Sequence, residues 1–223
     1  MSDIELIKQI AEETMAGSSK WLWDRSQRIV RNCELICRLG EVVEANLPIE
    51  RFCLTAAAYF SDAGFIRFAE SGKCENGVVL SELNVIDLRK FSTQIVTEVL
   101  AETEIEGKID KINKIIIESS TINSKLAEAR ILSDGRGLED MGAVGVFNEF
   151  RKYAFHDDGP ADSLIGWKRR VEYRYWQSRL DESFSFESVR KIAKRRFETA
   201  ETFMNQLGDE NSGRDIEEMI LEA

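Results

Sequence analysis

The chain has 223 residues, 43% hydrophobic and 31% charged, with two prolines and one histidine. That balance excludes disordered and collagen-like chains, and the length suits one large domain or two small ones. A net charge of −10 argues against a generic nucleic-acid coat, and a single histidine excludes any site built from two imidazoles.

The first turns carry Asp3, Glu5, Glu12 and Glu13 and do not read as a signal peptide. No run approaches the roughly 18 apolar residues of a membrane span. Cys33, Cys37, Cys53 and Cys74 form no CxxC pair, so reduced thiols in a cytoplasm are expected.

Taken in chain order, the hydrophobic period is helical almost throughout. Ser2-x-x-Glu5 is a candidate capping box before the stripe Ile4, Ile7, Ile10 and Ala11. A second stripe holds Ile29, Cys33, Ile36 and Gly40, with Cys33 and Cys37 on one buried face. Pro48 is expected in the first turn of a helix bearing Phe52, Cys53, Ala56, Ala57 and Phe60, with Gly64 as its left-handed stop. Residues 71–84 are less regular, with Gly72 and Gly77, and Val78-Val79-Leu80 reads as a short extended piece. Helical spacing returns at Leu88, Phe91, Ile95 and Val99, and again at Ile105, Ile109, Ile112 and Ile116.

A short helix through Leu126 and Leu132 is expected to run into a turn at Asp134-Gly135-Arg136-Gly137. Leu138, Met141, Gly142, Gly145 and Glu149 share a face of the following helix, the glycines marking tight contact. Beyond a loop at His156, one helix is expected through about residue 178 and another from about 187 to 207. Residues 208–223 read as an acidic tail with one short helix. The expected fold is a single all-α domain of about eight helices over residues 1–207.

Phosphate loops ending in Lys-Ser/Thr, GxSxG, HExxH and paired CxxC are all missing. His156 sits in a charged loop and reads as a solvated side chain. Residues 164–200 carry +5 against −15 for the remainder. With Trp167, Tyr173, Tyr175 and Trp176 interleaved, that segment suits either a nucleotide or RNA surface or solvated helix faces paired to the acidic rest.

Four segments carry a resemblance. Trp23-Asp24-Arg25-Ser26-Gln27-Arg28-Ile29-Val30-Arg31 resembles the first motif of the HD-domain metal-dependent phosphohydrolase superfamily. Leu54 to Gly64, an alanine-rich helix ending in Ser61-Asp62, is similar to its second motif. Glu128 to Asp134 with Leu138 to Gly145 is similar to its aspartate motif, and Lys168 to Met204 resembles its closing helices. The set spans about residues 20–207 in the superfamily's order. The resemblance implies an HD-type helical bundle and hydrolysis of phosphate esters, often nucleotides, by a water on one or two divalent metals.

Residue by residue, it also implies a dismantled site. Arg25 stands at the first metal-binding histidine and Ser61 at the histidine of the His-Asp pair. Asp62 and Asp134 are the surviving carboxylates, and Ser119 lies near another position often occupied by histidine. A guanidinium is permanently cationic and cannot ligate a metal. The expectation is that Arg25 replaces the ion and pairs with Asp62, Asp134 or both; the alternative is Arg25 in solvent with the acids capping helices or binding water. Arg136 is expected either to bind a phosphate or to pair with Glu139 or Asp140.

The resulting expectation is a non-catalytic binding or scaffold protein, with no cofactor. It would hold a phosphorylated small molecule or nucleotide among Arg25, Ser61, Asp62, Asp134 and Arg136. Partners expected are that small molecule and a protein partner or second copy, with neither a membrane nor nucleic acid. One alternative is a divergent phosphohydrolase holding Mg²⁺ or Mn²⁺ through Asp62, Asp134 and substrate phosphate. Another is a purely structural helical interaction protein.

Overall fold

Apolar residues at helical spacing recur along the chain, and burying them forces helix onto helix. A computed structural model describes residues 2–75, 78–79, 84–121 and 123–221. It forms one all-α domain with thirteen α-helices and one two-stranded sheet among the described residues. No described helix is long and apolar enough to cross a membrane.

Helix α1 (Asp3–Ala16) opens with the expected capping box: Ser2 Oγ accepts the Glu5 N–H and Glu5 accepts the Ser2 N–H. It buries Ile7, Ala11 and Met15 against α2 (Lys20–Ile36) and α4 (Arg51–Phe60). Short α3 (Gly40–Glu44) lies between them in sequence. Ala56, Ala57 and Ala58 of α4 are fully buried, and their small side chains let α2 and α7 (Ile109–Glu118) lie close on both sides. Between α4 and α7 come α5 (Phe65–Glu70), the antiparallel pair β1 (Cys74–Glu75) and β2 (Val78–Val79), and α6 (Val85–Leu100). Helix α8 (Ala127–Gly137) closes this half against α2 and α7.

A 3-10 turn at Leu138–Asp140 leads into the second half: α9 (Gly142–Phe155), α10 (Pro160–Glu172), α11 (Tyr175–Glu182), α12 (Glu187–Ser212) and α13 (Arg214–Leu221). Helix α12 is the spine here and packs on α9, α10 and α11. Trp167, Trp176 and Phe197 form an aromatic cluster with centroids 5.4–6.0 Å apart, tying α10, α11 and α12 together. Trp167 and Trp176 of the basic segment are thus packed against this half rather than presented as a free stacking surface.

Several expectations are corrected. The count exceeds eight partly because Arg174, in the left-handed region at φ 54°, splits the helix expected through 178 into α10 and α11. Pro48 precedes α4, which starts only at Arg51. Asp134-Gly135-Arg136-Gly137 is the last turn of α8, not a loop. Gly135 is needed because a Cβ there would meet Cys33 Sγ of α2 at 2.8 Å. Leu138 and Met141 do not share a helix with Glu149, since Gly142 at φ 74° turns the chain into α9. The helix expected to stop near 207 continues to Ser212. The expectations on Gly77 and Leu80 fall outside the described residues.

Gly64 is the most instructive correction. Its backbone is right-handed, so it is no left-handed stop. It is required because a Cβ would overlap the Leu88 carbonyl of α6, while its N–H donates to Ser92 Oγ at 2.9 Å. Replacement by alanine should therefore force α6 off the α4–α5 corner and cost about 1–3 kcal/mol, read as a lower urea midpoint at unchanged slope.

Candidate functional site

The α4–α5 corner points Asp62 into the centre of the first half. Helix α4 ends there because Ser61 Oγ and the Ala63 N–H turn back onto the Ala58 and Phe60 carbonyls. Asp62 is 2% exposed, and a lone carboxylate at such a depth would be costly. It is not alone. Arg25 Nε of α2 donates to Asp62 Oδ2 at 2.7 Å, and Arg89 Nη1 of α6 donates to Oδ1 at 2.7 Å. Arg136 Nε of α8 lies 3.4 Å from the same Oδ1. Three guanidinium groups from three helices therefore converge on one carboxylate.

Burial would push the Asp62 carboxyl up, but Arg25 and Arg89 hold it down, to about 2. Arg25 is likewise desolvated, yet Asp62 and Asp140 hold it firmly in the charged form. Asp140 is the outer relay. Its Oδ1 lies 3.4 Å from Arg25, and its Oδ2 accepts from Arg179 of α11 at 3.2 Å. Beside it, Arg28 Nε donates to Glu139 at 2.7 Å.

Arg25 thus meets Asp62 as expected but not Asp134; its second acid is Asp140. Asp134 is fully buried elsewhere, accepting the Ser185 and Phe186 N–H groups at 2.9 and 3.2 Å, one on each oxygen. It caps the loop before α12. Burial pushes its carboxyl up to about 7, against the pull of those two N–H groups and Arg130. Arg136 pairs with neither Glu139 nor Asp140: it reaches Asp62 and donates to Ser119 Oγ at 3.2 Å. Ser61 contributes its backbone, its carbonyl accepting from Arg89 Nη1 and Ser92 Oγ. The carboxylate oxygens of Asp62 and Asp134 are thus already engaged by cations or N–H groups. No cluster of three or more His, Cys, Asp or Glu among the described residues is placed to hold a metal.

Sequence reasoning missed Arg89 and Arg179, and it gave Asp140 to Arg136 rather than to Arg25 and Arg179. Arg89 lies one residue after the apolar Leu88 on α6, in a pattern that reads as a solvent face. A cavity of about 260 Å³ opens over Arg25 and Asp140 and is walled by Trp21, Phe65, Arg151 and Lys152. Trp21 carries Arg25 over its ring at 5.8 Å and Arg151 at 5.3 Å. His156 is exposed at the far end of α9 and belongs to none of this.

No family model matches this sequence, and no curated protein matches it either. The fold is similar to Bacillus subtilis YpgQ. Its crystal structure in complex with ADP gives a TM-score of 0.60 over 93% of this chain and 94% of that one, at 16% identity. A second YpgQ structure gives 0.56 over 93% and 95%, also at 16% identity.

The two aspartates impose opposite pH dependences. The Asp62 carboxyl lies below its unfolded value, so its contribution is full above about pH 4 and fades as pH falls toward 2. The Asp134 carboxyl lies above its unfolded value, so its contribution is full below about pH 4 and fades as pH rises through about 7. Urea midpoints of the wild type should show both slopes, and Asp134→Asn should flatten only the one between pH 4 and 7. Asp62→Ala strands buried cations and should cost about 3–5 kcal/mol in the same measurement.

Proposed function

We propose that the chain is a degenerate HD-superfamily protein in which a guanidinium–carboxylate network stands where metal chemistry would occur. It acts as a non-catalytic cytoplasmic binding or scaffold protein. One observation carries the reading: Arg25, at the position the resemblance gives to a metal-binding histidine, is 8% exposed and bonded to Asp62 at 2.7 Å. A permanent cation there offers the carboxylate what a divalent ion would, without a water to activate. The hydrolytic alternative needs lone pairs of Asp62 and Asp134 that Arg25, Arg89 and two backbone N–H groups already occupy. Cys33, Cys37 and Cys53, buried and outside any disulfide, suit a reducing compartment.

The ligand is a phosphorylated small molecule or nucleotide, held in the cavity over Arg25 rather than on the sealed aspartates. Arg25, Arg151 and Lys152 line that cavity, and guanidinium groups suit phosphate oxygens. The likeness to a fold solved with ADP supports a nucleotide as the first compound to try. The purely structural reading draws support from the same burial, since Asp62 and Asp134 have almost no solvent access.

Three measurements separate these readings. Metal analysis of purified protein should find no stoichiometric divalent ion, and the Arg25→His, Ser61→His double variant should gain Mn²⁺ affinity. Thermal shift with ADP at about 100 times its Kd should add about 2.7 kcal/mol; no shift with any phosphate compound favours the structural reading. Manganese-dependent hydrolysis of nucleotides by the wild type, lost in Asp62→Asn, overturns the proposal.

A further inference from the structure

Helix α12 carries opposite charge at its two ends. Residues 187–199 hold Arg190, Lys191, Lys194, Arg195 and Arg196 against Glu187 and Glu198. Residues 200–212 hold Glu201, Asp209 and Glu210 and no base. The basic end is only partly answered within the chain. Arg190 pairs with Glu187, Arg196 donates to the Leu138 carbonyl, and Lys191 lies near Glu41. Lys194 and Arg195 are exposed and make no ion pair among the described residues.

Helix α13 is unpartnered in a complementary way. Ile216, Met219 and Ile220 form one stripe at helical spacing and are 64–69% exposed. The same spacing sets Asp215 and Glu217 on opposite flanks of that stripe, both exposed and without an ion pair among the described residues. Arg214, the base of α13, is drawn to Asp209 at 3.4 Å. An apolar stripe between acids suits a basic surface with some apolar contact. The basic end of α12 is such a surface: Glu41 of α3 accepts two N–H groups there, and Val43, two residues on, is 61% exposed. The chain's own α13 falls short of it. From Arg195 to Ser212 α12 rises roughly 26 Å, whereas α13 spans only about 12 Å. A second copy brings an α13 to it.

We propose that this chain forms a two-fold dimer along α12, with the two helices antiparallel. The acidic end of each α12, together with its α13, lies on the basic end of the other. A helix with opposite charge at its ends is complementary to itself under a two-fold axis, so one patch supplies both contacts. Between the ends, Thr199, Thr202, Asn205 and Gln206 face outward with polar, uncharged side chains. The dimer face depends neither on the cavity over Arg25 nor on a nucleotide.

The test is sedimentation equilibrium of the full chain at micromolar concentration and low ionic strength. A mass of twice 25.5 kDa is expected, falling toward that of one chain as salt is raised. Lys194→Glu with Arg195→Glu, and separately Glu210→Lys with Glu217→Lys, should each weaken dimerisation at least tenfold. All four positions are exposed, and lysine is a good helix former that suits the last turn of α12, so far-UV circular dichroism should be unchanged. Ile216→Ser with Met219→Ser should weaken the dimer as well. Mixing the two charge-reversed variants should restore a dimer of one copy of each, because one contact is then native and the other has both signs reversed. A single chain at every concentration overturns the proposal. A dimer that survives either charge reversal also overturns it, placing the interface elsewhere. Loss in both variants without rescue on mixing overturns it too, since the two patches then do not meet.

Discussion

A single buried negative charge organises the first half of this molecule. Asp62 is kept ionised at the α4–α5 corner, and everything around it answers that demand. Arg25 brings α2, Arg89 brings α6 and Arg136 brings α8 to the same carboxylate. Each cation alone would also be expensive to bury; Asp62 offsets that cost for all three, although Arg89 Nε and Arg136 Nε stay buried without a hydrogen-bond partner. Because the fork of each arginine is rigid, the network fixes the relative placement of three helices more tightly than apolar contact could.

The network also explains how the two halves hold together. Asp140, in the 3-10 turn between α8 and α9, joins Arg25 on one side to Arg179 of α11 on the other. The turn itself depends on Gly142 and Gly145, whose missing side chains admit Arg196 of α12 and the Asp140 backbone. The glycines that look like helix weaknesses are the places where the second half comes close enough to be reached.

Most of the helical architecture was legible in the sequence, because stripes such as Ile109, Ile112 and Ile116 have no other economical use. Breaks were harder. Arg174 adopts a left-handed conformation that its residue type does not announce, so α10 and α11 read as one helix. The site was half legible. The resemblance placed Arg25 beside Asp62, but Asp134 and its N–H donors lie far apart in sequence, and no local pattern reports a side chain capping a distant loop. Arg89 was invisible for a related reason: a charged residue on an amphipathic helix signals solvent unless its buried partner is already known. Gly64 showed the limit of conformational argument, since its purpose is proximity to α6 and not an unusual torsion.

Asp62 and Asp140 differ in one respect that reaches beyond geometry. The first has a side chain 3% accessible, whereas the second is 42% accessible. Mobile counterions can crowd around the outer carboxylate but cannot enter the inner one, and Debye screening at physiological ionic strength acts over about 8 Å. Added salt therefore weakens the tie between α8, α9 and α11 while leaving the central knot untouched. The seam between the halves, rather than the core, is where a change in ionic surroundings is felt.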